Sequence, residues 1–401
     1  MIPRSALRAA VAAGAIGWAA AARADEEPPP RRSEIAAVPV VAGSSDIGLQ
    51  LGVVGSLTRF EDDLRPFAWR LDGVLSSSGK YDDAGFRLVQ HSYLVRFDAP
   101  ALLGGRLRLD VRASARRTIN SGYFGLGNAA PAPPSDDPRR YQYVHQEGRV
   151  HTIGRVKITA PLDGAFAADL RYVAPELLAG SKAADDAPLL RGVRPLGLAA
   201  VAGGVMIDTR DEEFVTTRGV FHQAGARVNV DTDGVWSGEV SASLAHYARL
   251  VGPLVFASRV LTSMQLGEPA FYTMQEAGVF DPRWSFGGDN GVRGVPRGRY
   301  TGKIKVIANH ELRLPLPRFR LLGQRIRPGL TALFDVGRLW ADYRLDPTRD
   351  GTSIGLKYGV GGGVFGQWGE AAIVRADVAW SPDSIAAGLP IGFYVTTGLT
   401  F

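Results

Sequence analysis

The sequence has 401 residues, of which 49 are glycine, 25 proline and none cysteine; 45% are hydrophobic and the formal charge is +6. That much glycine disfavours long helices, and that much apolar content excludes disorder. The lack of cysteine excludes disulfide scaffolds, thiolate metal sites, thiol catalysis and a lipid anchor on cysteine, which leaves a glycine-tolerant all-β chain.

In chain order the first element is a targeting segment. Arg4 and Arg8 precede an apolar stretch from Ala9 to Ala22, and Ala22-Arg23-Ala24 before Asp25 fits a small-x-small cleavage site. Residues 1–24 are therefore expected to be a signal peptide and 25–35 a short periplasmic segment. Removing 24 residues leaves 377 and takes away three arginines, so the charge falls from +6 to +3. An exported, nearly balanced chain is a poor partner for nucleic acid. Beyond Asp25 there is no run of roughly 18 apolar residues, so no helix there can span a bilayer, and such a chain is either soluble or a β-barrel.

Period-two alternation follows. Between Arg106 and Arg116, Leu107, Leu109, Val111, Ala113 and Ala115 oppose Arg108, Asp110, Arg112 and Ser114. The pattern recurs where Arg149, His151, Arg155 and Lys157 oppose Val150, Thr152, Val156 and Ile158, and where Lys305, Asn309, Glu311 and Arg313 oppose Val306, Ala308, Leu312 and Leu314. Strands are expected near 36–42, 47–60, 66–77, 84–97, 105–118, 146–159, 164–174, 196–210, 218–231, 236–250, 252–265, 302–315, 326–339, 353–366, 370–381 and 390–401, an even number. A soluble sandwich would alternate in the same way. Strands of roughly 10 to 14 residues, with short turns alternating with long connections, favour a 16-stranded transmembrane antiparallel barrel over 36–401. The long connections at 119–145, 175–195 and 266–300 then all fall outside. The last strand ends on Phe401, and an aromatic there resembles the insertion signal of bacterial outer-membrane proteins. The first strand carries Pro39, which cannot donate a ladder hydrogen bond, and the last carries Gly392 and Gly398, so the seam where they meet is expected to be weakly paired.

The connection at 266–300 contains Val292-Arg293-Gly294-Val295, followed by a strand with Asn309, Glu311 and Arg313 and another reading Leu333-Phe334-Asp335-Val336-Gly337. Asp208-Thr209-Arg210-Asp211 with Arg218-Gly219 stands at an expected periplasmic turn, and Tyr123-Phe124-Gly125-Leu126-Gly127-Asn128 at an outer loop. These motifs, in this order, resemble the BamA/TamA-type superfamily of outer-membrane barrels, also called the bacterial surface antigen family. Val295 stands where that family usually has Phe or Tyr. The resemblance implies a Gram-negative outer-membrane barrel that assists insertion or translocation of proteins or lipids by opening laterally at its seam. It also implies outer-membrane lipids and client proteins or lipids as partners. Family members commonly carry POTRA domains ahead of the barrel; Asp25–Glu34 is too short for one, so POTRA-mediated partners are not expected.

The strand phase puts Glu311 and Asp335 on the lumen side of adjacent strands, where two carboxylates can meet one cation. Arg293, on a glycine-rich loop, offers a planar fork suited to a carboxylate. Arg293 is thus expected to pair with Asp335, with Glu311 nearby, and to pin the loop inside the barrel together with Gly294 and Gly337. No G-x-S-x-G or H-E-x-x-H occurs, and the histidines His91, His145, His151, His222, His246 and His310 lack metal-ligand spacing, so no enzyme, cofactor or metal is expected. The competing reading is a passive or gated pore for solutes, since sixteen strands leave room for an aqueous channel.

Overall fold

The computed structural model describes residues 31–44, 48–61, 64–82, 85–131, 138–281, 284–321, 324–368, 372–386, 391–397, 399 and 401. The expected signal peptide and Gly398 lie outside the described residues. Long strands succeed one another as β1 (Arg31–Ser44), β2 (Gly48–Glu61), β3 (Leu64–Asp82), β4 (Gly85–Ala101), β5 (Leu107–Gly122), β6 (Gln142–Thr159), β7 (Leu162–Leu177) and β8 (Leu196–Asp208). The second half comprises β9 (Gly219–Asp231), β10 (Trp236–Arg249), β11 (Val255–Gly267), β12 (Ile304–Pro315), β13 (Gln324–Trp340), β14 (Lys357–Trp368), β15 (Ala372–Trp380) and β16 (Gly392–Thr397). Each is antiparallel to the next in sequence, the arrangement of an up-and-down barrel. Among the described residues no ladder joins β16 to β1.

All sixteen strands lie where alternation predicts them, but the ends differ. β1 begins at Arg31, so residues 31–35 belong to the sheet and not to a leading segment. Ser33, Glu34 and Ile35 continue the alternation and face Arg59, Thr58 and Leu57 of β2. Among the described residues of the last expected strand, β16 covers Gly392–Thr397.

The alternation sorts side chains in the opposite sense to a soluble protein. On β10, Glu239, Ser241, Ser243 and Tyr247 are buried while Val240 and Leu244 are exposed. The same inversion places Arg259, Arg313, Arg375 and Lys305 among the most deeply buried side chains, and Val150, Ile158, Leu170, Val201 and Phe334 on the outside. An apolar exterior around a charged interior is what a lipid-embedded barrel requires. The connections after β5, β11 and β13 are knotted together at one end, where Gly127 N donates to Thr301 O at 2.8 Å and Ala129 N to Arg349 O at 2.8 Å. The Asn128 amide donates to Gly355 O at 2.7 Å, so the Tyr123–Asn128 motif serves as a junction between loops.

Candidate functional site

The connection between β11 and β12 turns back into the barrel and supplies much of its core. Ala270, Phe271, Tyr272 and Met274 pack with Tyr123, Tyr143, Val173 and Leu196. Val279 and Phe280 pack with Ala165, Ala167 and Met206 on the wall. Phe286, Val292, Val295 and Tyr300 pack with Leu261, Ile307 and Leu339. Val295 is completely buried in this last cluster, so the smaller side chain leaves no solvent-facing tip. Polar contacts tie the same loop to the wall. Arg171 of β7 donates to both carboxylate oxygens of Glu276 at 2.9 Å, Arg112 of β5 donates to Asp281 at 2.9 Å, and Glu239 of β10 accepts from Gly278 N at 2.7 Å. His151 faces the lumen, its Nε2 2.8 Å from Phe280 O.

At the centre stands Arg293, with no solvent exposure. Its Nε and Nη2 reach the two oxygens of Asp335 at 2.7 and 2.9 Å, its backbone N–H donates to Asp335 Oδ2 at 3.0 Å, and its Nη1 donates to Glu311 at 2.5 Å. Glu311 also accepts from Arg313 Nε at 2.7 Å and Arg375 Nη2 at 2.8 Å, while Arg375 forms an ion pair with Asp377 at 2.6 Å. Asn309 bridges Asp335 and Gly291 O, at 2.8 Å to each. Three carboxylates and three guanidinium groups therefore share one buried site where the loop meets β12, β13 and β15. Arg375 and Asp377 were not among the expected site residues; their inward phase on β15 was the available signal. The two glycines are explained by close approach. Gly294 has φ +94 and lies against Trp380 and Ser381, while a Cβ on Gly337 would stand 2.7 Å from Val306 O and 3.0 Å from Phe286.

The Omp85 superfamily domain matches residues 85–401. The chain belongs to the Omp85 superfamily. Its fold is similar to that of BamA from Haemophilus ducreyi lacking POTRA domains 1–3, at 13% identity and TM-score 0.54, covering 93% of this chain and 71% of that one. It is likewise similar to CdiB from Escherichia coli, at 14% identity and TM-score 0.53, covering 94% of this chain and 63% of that one. The curated proteins contain no match.

In this Omp85 chain the β8–β9 turn is held by its own motif. Arg210 lies across both oxygens of Asp208 at 2.9 and 2.8 Å. Asp211 accepts from the backbone N–H groups of Thr217 and Arg218 at 2.8 and 3.1 Å and from the Thr217 hydroxyl. Gly219 has φ +106, with Thr209 O where a Cβ would stand. Beyond this local geometry, the turn crosses the mouth of the barrel, which the sequence did not disclose. Glu213 accepts from Arg108 of β5 at 2.9 and 2.7 Å, Phe214 packs with Phe60 and Phe67 of β2 and β3, and Val215 packs with Phe365, Ile373 and Leu399. Of the expected seam residues, Pro39 sits in the β1–β2 ladder opposite Val53, and Gly392 in the β15–β16 ladder opposite Ala379. Phe401 departs from expectation. It leaves the strand direction and turns into the lumen, against Arg259 and Arg313. Between loop and turn lies a cavity of about 970 Å³ whose lining runs from Arg96, Arg112 and Arg116 to Val395 and Leu399 beside the seam.

Losing one partner of a buried ion pair costs about 3–5 kcal/mol, because the other charge stays buried. Asp335→Arg places like charges together at Arg293, and the loop is expected to detach. Limited proteolysis with mass spectrometry should find new cleavage within 268–303; protection equal to the unmodified chain would show that Arg293 does not hold the loop. In the turn, burial alone would raise the Asp211 carboxyl, but the Thr217 hydroxyl and the backbone N–H groups of Thr217, Arg218 and Glu212 hold it below its ordinary value. Its contribution is therefore present above the unfolded value of about 3.9 and is lost as pH falls through the lower folded value. Amide exchange across 209–218 should accelerate in that acid range in the unmodified chain and lose this step in Asp211→Asn; identical profiles would dismiss the assignment.

Proposed function

We propose that the chain is exported by its signal peptide to the bacterial outer membrane and there assists insertion or translocation of polypeptide or lipid clients, which pass at the β1–β16 seam. The pinned loop carries this reading. A segment fixed by Arg293 to Glu311 and Asp335 and packed on the wall through three apolar clusters occupies the space a solute would need. A barrel so filled directs the reading to its side, where among the described residues β16 meets β15 over Gly392–Thr397. The role of the superfamily implied by the motifs points the same way. The lock and turn residues then act as conformational parts and not as catalytic groups, with neither cofactor nor metal assigned to them. A passive or gated pore is the second reading, and the cavity of about 970 Å³ is what favours it.

The absence of cysteine makes the test direct. Paired cysteines scanned along Arg31–Ser44 and Gly392–Thr397 should yield a disulfide that abolishes client assembly in proteoliposomes and is reversed by reductant. Assembly that survives a locked seam would rule out the lateral route. Large, steady, ohmic currents in planar bilayers would select the pore.

A further inference from the structure

The hairpin between β12 and β13 carries a face of unmatched positive charge. After β12 the chain adds three ladder residues, Phe319–Leu321, against the start of β13, so that Phe319 stands opposite Ile326 and Arg320 opposite Arg325. Ile326 pairs on its other side with Trp368 of β14, and Phe319 and Trp368 are exposed in the same outward phase as Leu330 and Phe334. This row is an aromatic girdle and marks the level of the membrane surface. Arg325 and Arg327 take the other phase, shared with the inward Thr331 and Asp335, and Arg320 joins them across the ladder. Arg318 stands two residues before Arg320, and Arg327 lies in the fields of Arg318, of Arg249 at the end of β10 and of Glu212 in the β8–β9 turn. Arg249 also donates to Thr217 Oγ1 of that turn at 3.0 Å. The basic face therefore overlooks the mouth that the turn crosses and is directed away from lipid.

These arginines differ from those of the wall. Arg108, Arg149 and Arg171 each meet two carboxylates. Arg318, Arg320, Arg325 and Arg327 form no ion pair among the described residues. Like charges directly opposite on a ladder destabilise it, so Arg320 facing Arg325 is a cost to the free chain that an anion lying between them removes. The spacing sets the shape of that anion. Arginines two apart on one strand stand about 7 Å apart, and those facing each other about 5 Å. An extended polypeptide with a carboxylate at every second residue has the same repeat of about 7 Å, so one carboxylate can meet Arg320 and Arg325 and the next Arg318 and Arg327. A lipid phosphate would instead approach from the side of the girdle, where Phe319 and Ile326 stand.

We propose that Arg318, Arg320, Arg325 and Arg327 dock an extended acidic polypeptide segment, with Asp or Glu at alternate positions, at the mouth of the barrel beside the β8–β9 turn. The site lies apart from the β1–β16 seam and shares no residue with the Arg293 lock. Its occupant is held by exposed charge, so it binds reversibly and in a salt-dependent way.

The test uses the full chain folded in detergent and a labelled synthetic peptide of alternating serine and glutamate. Replacing its glutamates by glutamine, or gathering the same glutamates into one block, should each weaken binding, the first by about tenfold. Arg320→Gln with Arg325→Gln should weaken it to a similar degree, whereas Arg139→Gln, in the connection at the opposite end of β5 and β6, should leave it unchanged. Without peptide the double variant should be no less heat-stable than the unmodified chain, because it removes a like-charge pair; a merely structural role for these arginines would lower that stability. The peptide changes need no altered barrel, so they decide the matter even if the double variant fails to fold. Either changed peptide binding as tightly as the first, or unchanged binding in the double variant, overturns the proposal. If the double variant binds the peptide normally and instead loses phosphatidylglycerol that the unmodified chain retains in native mass spectrometry, the face belongs to lipid. No client assembly enters the readout, so the site stands or falls separately from the lateral route.

Discussion

A single buried guanidinium organises the interior of this barrel. Arg293 has no access to water, and a charge in that position is tolerable only if its donors are met by well-placed acceptors. Asp335 and Glu311 meet them from adjacent strands, and both oxygens of Asp335 are used. This arrangement dictates much around it. Asp335 and Glu311 must share the inward phase of β13 and β12, and a one-residue slip of either strand would turn its carboxylate toward lipid. The loop side chains Phe286 and Val292 press against β13 at Gly337, two residues beyond Asp335, where a Cβ would meet them. Replacing a buried ion pair by apolar packing is often neutral or stabilising, whereas removing one partner leaves the other charge buried and unmet.

The same constraint extends along the lumen. Arg108 meets Asp98 and Glu213, Arg112 meets Asp110 and Asp281, Arg149 meets Asp169, and Arg171 meets Glu147 and Glu276. Three of these bonds join neighbouring strands and one lies within β5, whereas Asp281 and Glu276 come from the inward loop and Glu213 from the β8–β9 turn. The wall thus carries charge that the loop and turn complete. Removing either segment would leave wall arginines with fewer partners in a low-dielectric space, so barrel, loop and turn hold one another in place.

The strands were legible because period-two alternation is a local property, repeated sixteen times against two contrasting environments. The loop and its carboxylates were legible for a different reason. Val292-Arg293-Gly294 and Phe334-Asp335-Val336-Gly337 carry a family pattern, and strand phase alone set Glu311 and Asp335 facing inward. What stayed hidden depends on contacts between residues far apart in sequence. Nothing local to Phe214 or Val215 indicates that they meet Phe67 and Phe365 across the mouth of the barrel. Asp377 and Arg375 were visible as inward residues of β15, but their place in the Arg293 site depends on how far β15 lies around the wall. Phe401 misled because its alternation with Val395 and Leu399 suggests a continued strand, whereas its ring lies against Tyr247, Arg259 and Arg313 of the lumen wall.

The two sides of the seam are unequally supported. β1 is paired with β2 along all of Arg31–Ser44, and among the described residues β16 is paired with β15 over Gly392–Thr397. β16 is also the side tied to the interior, since Gly294 N donates to Tyr394 Oη at 2.9 Å and Phe401 sits on Arg259 and Arg313. Gly294 is the neighbour of Arg293, and Arg313 shares Glu311 with it. β16 is therefore joined to the loop at Tyr394, and Phe401 touches a residue that shares Glu311 with Arg293. Among the described residues β16 has the shortest ladder of the sixteen strands, and its Tyr394 hydroxyl bonds to the loop at Gly294.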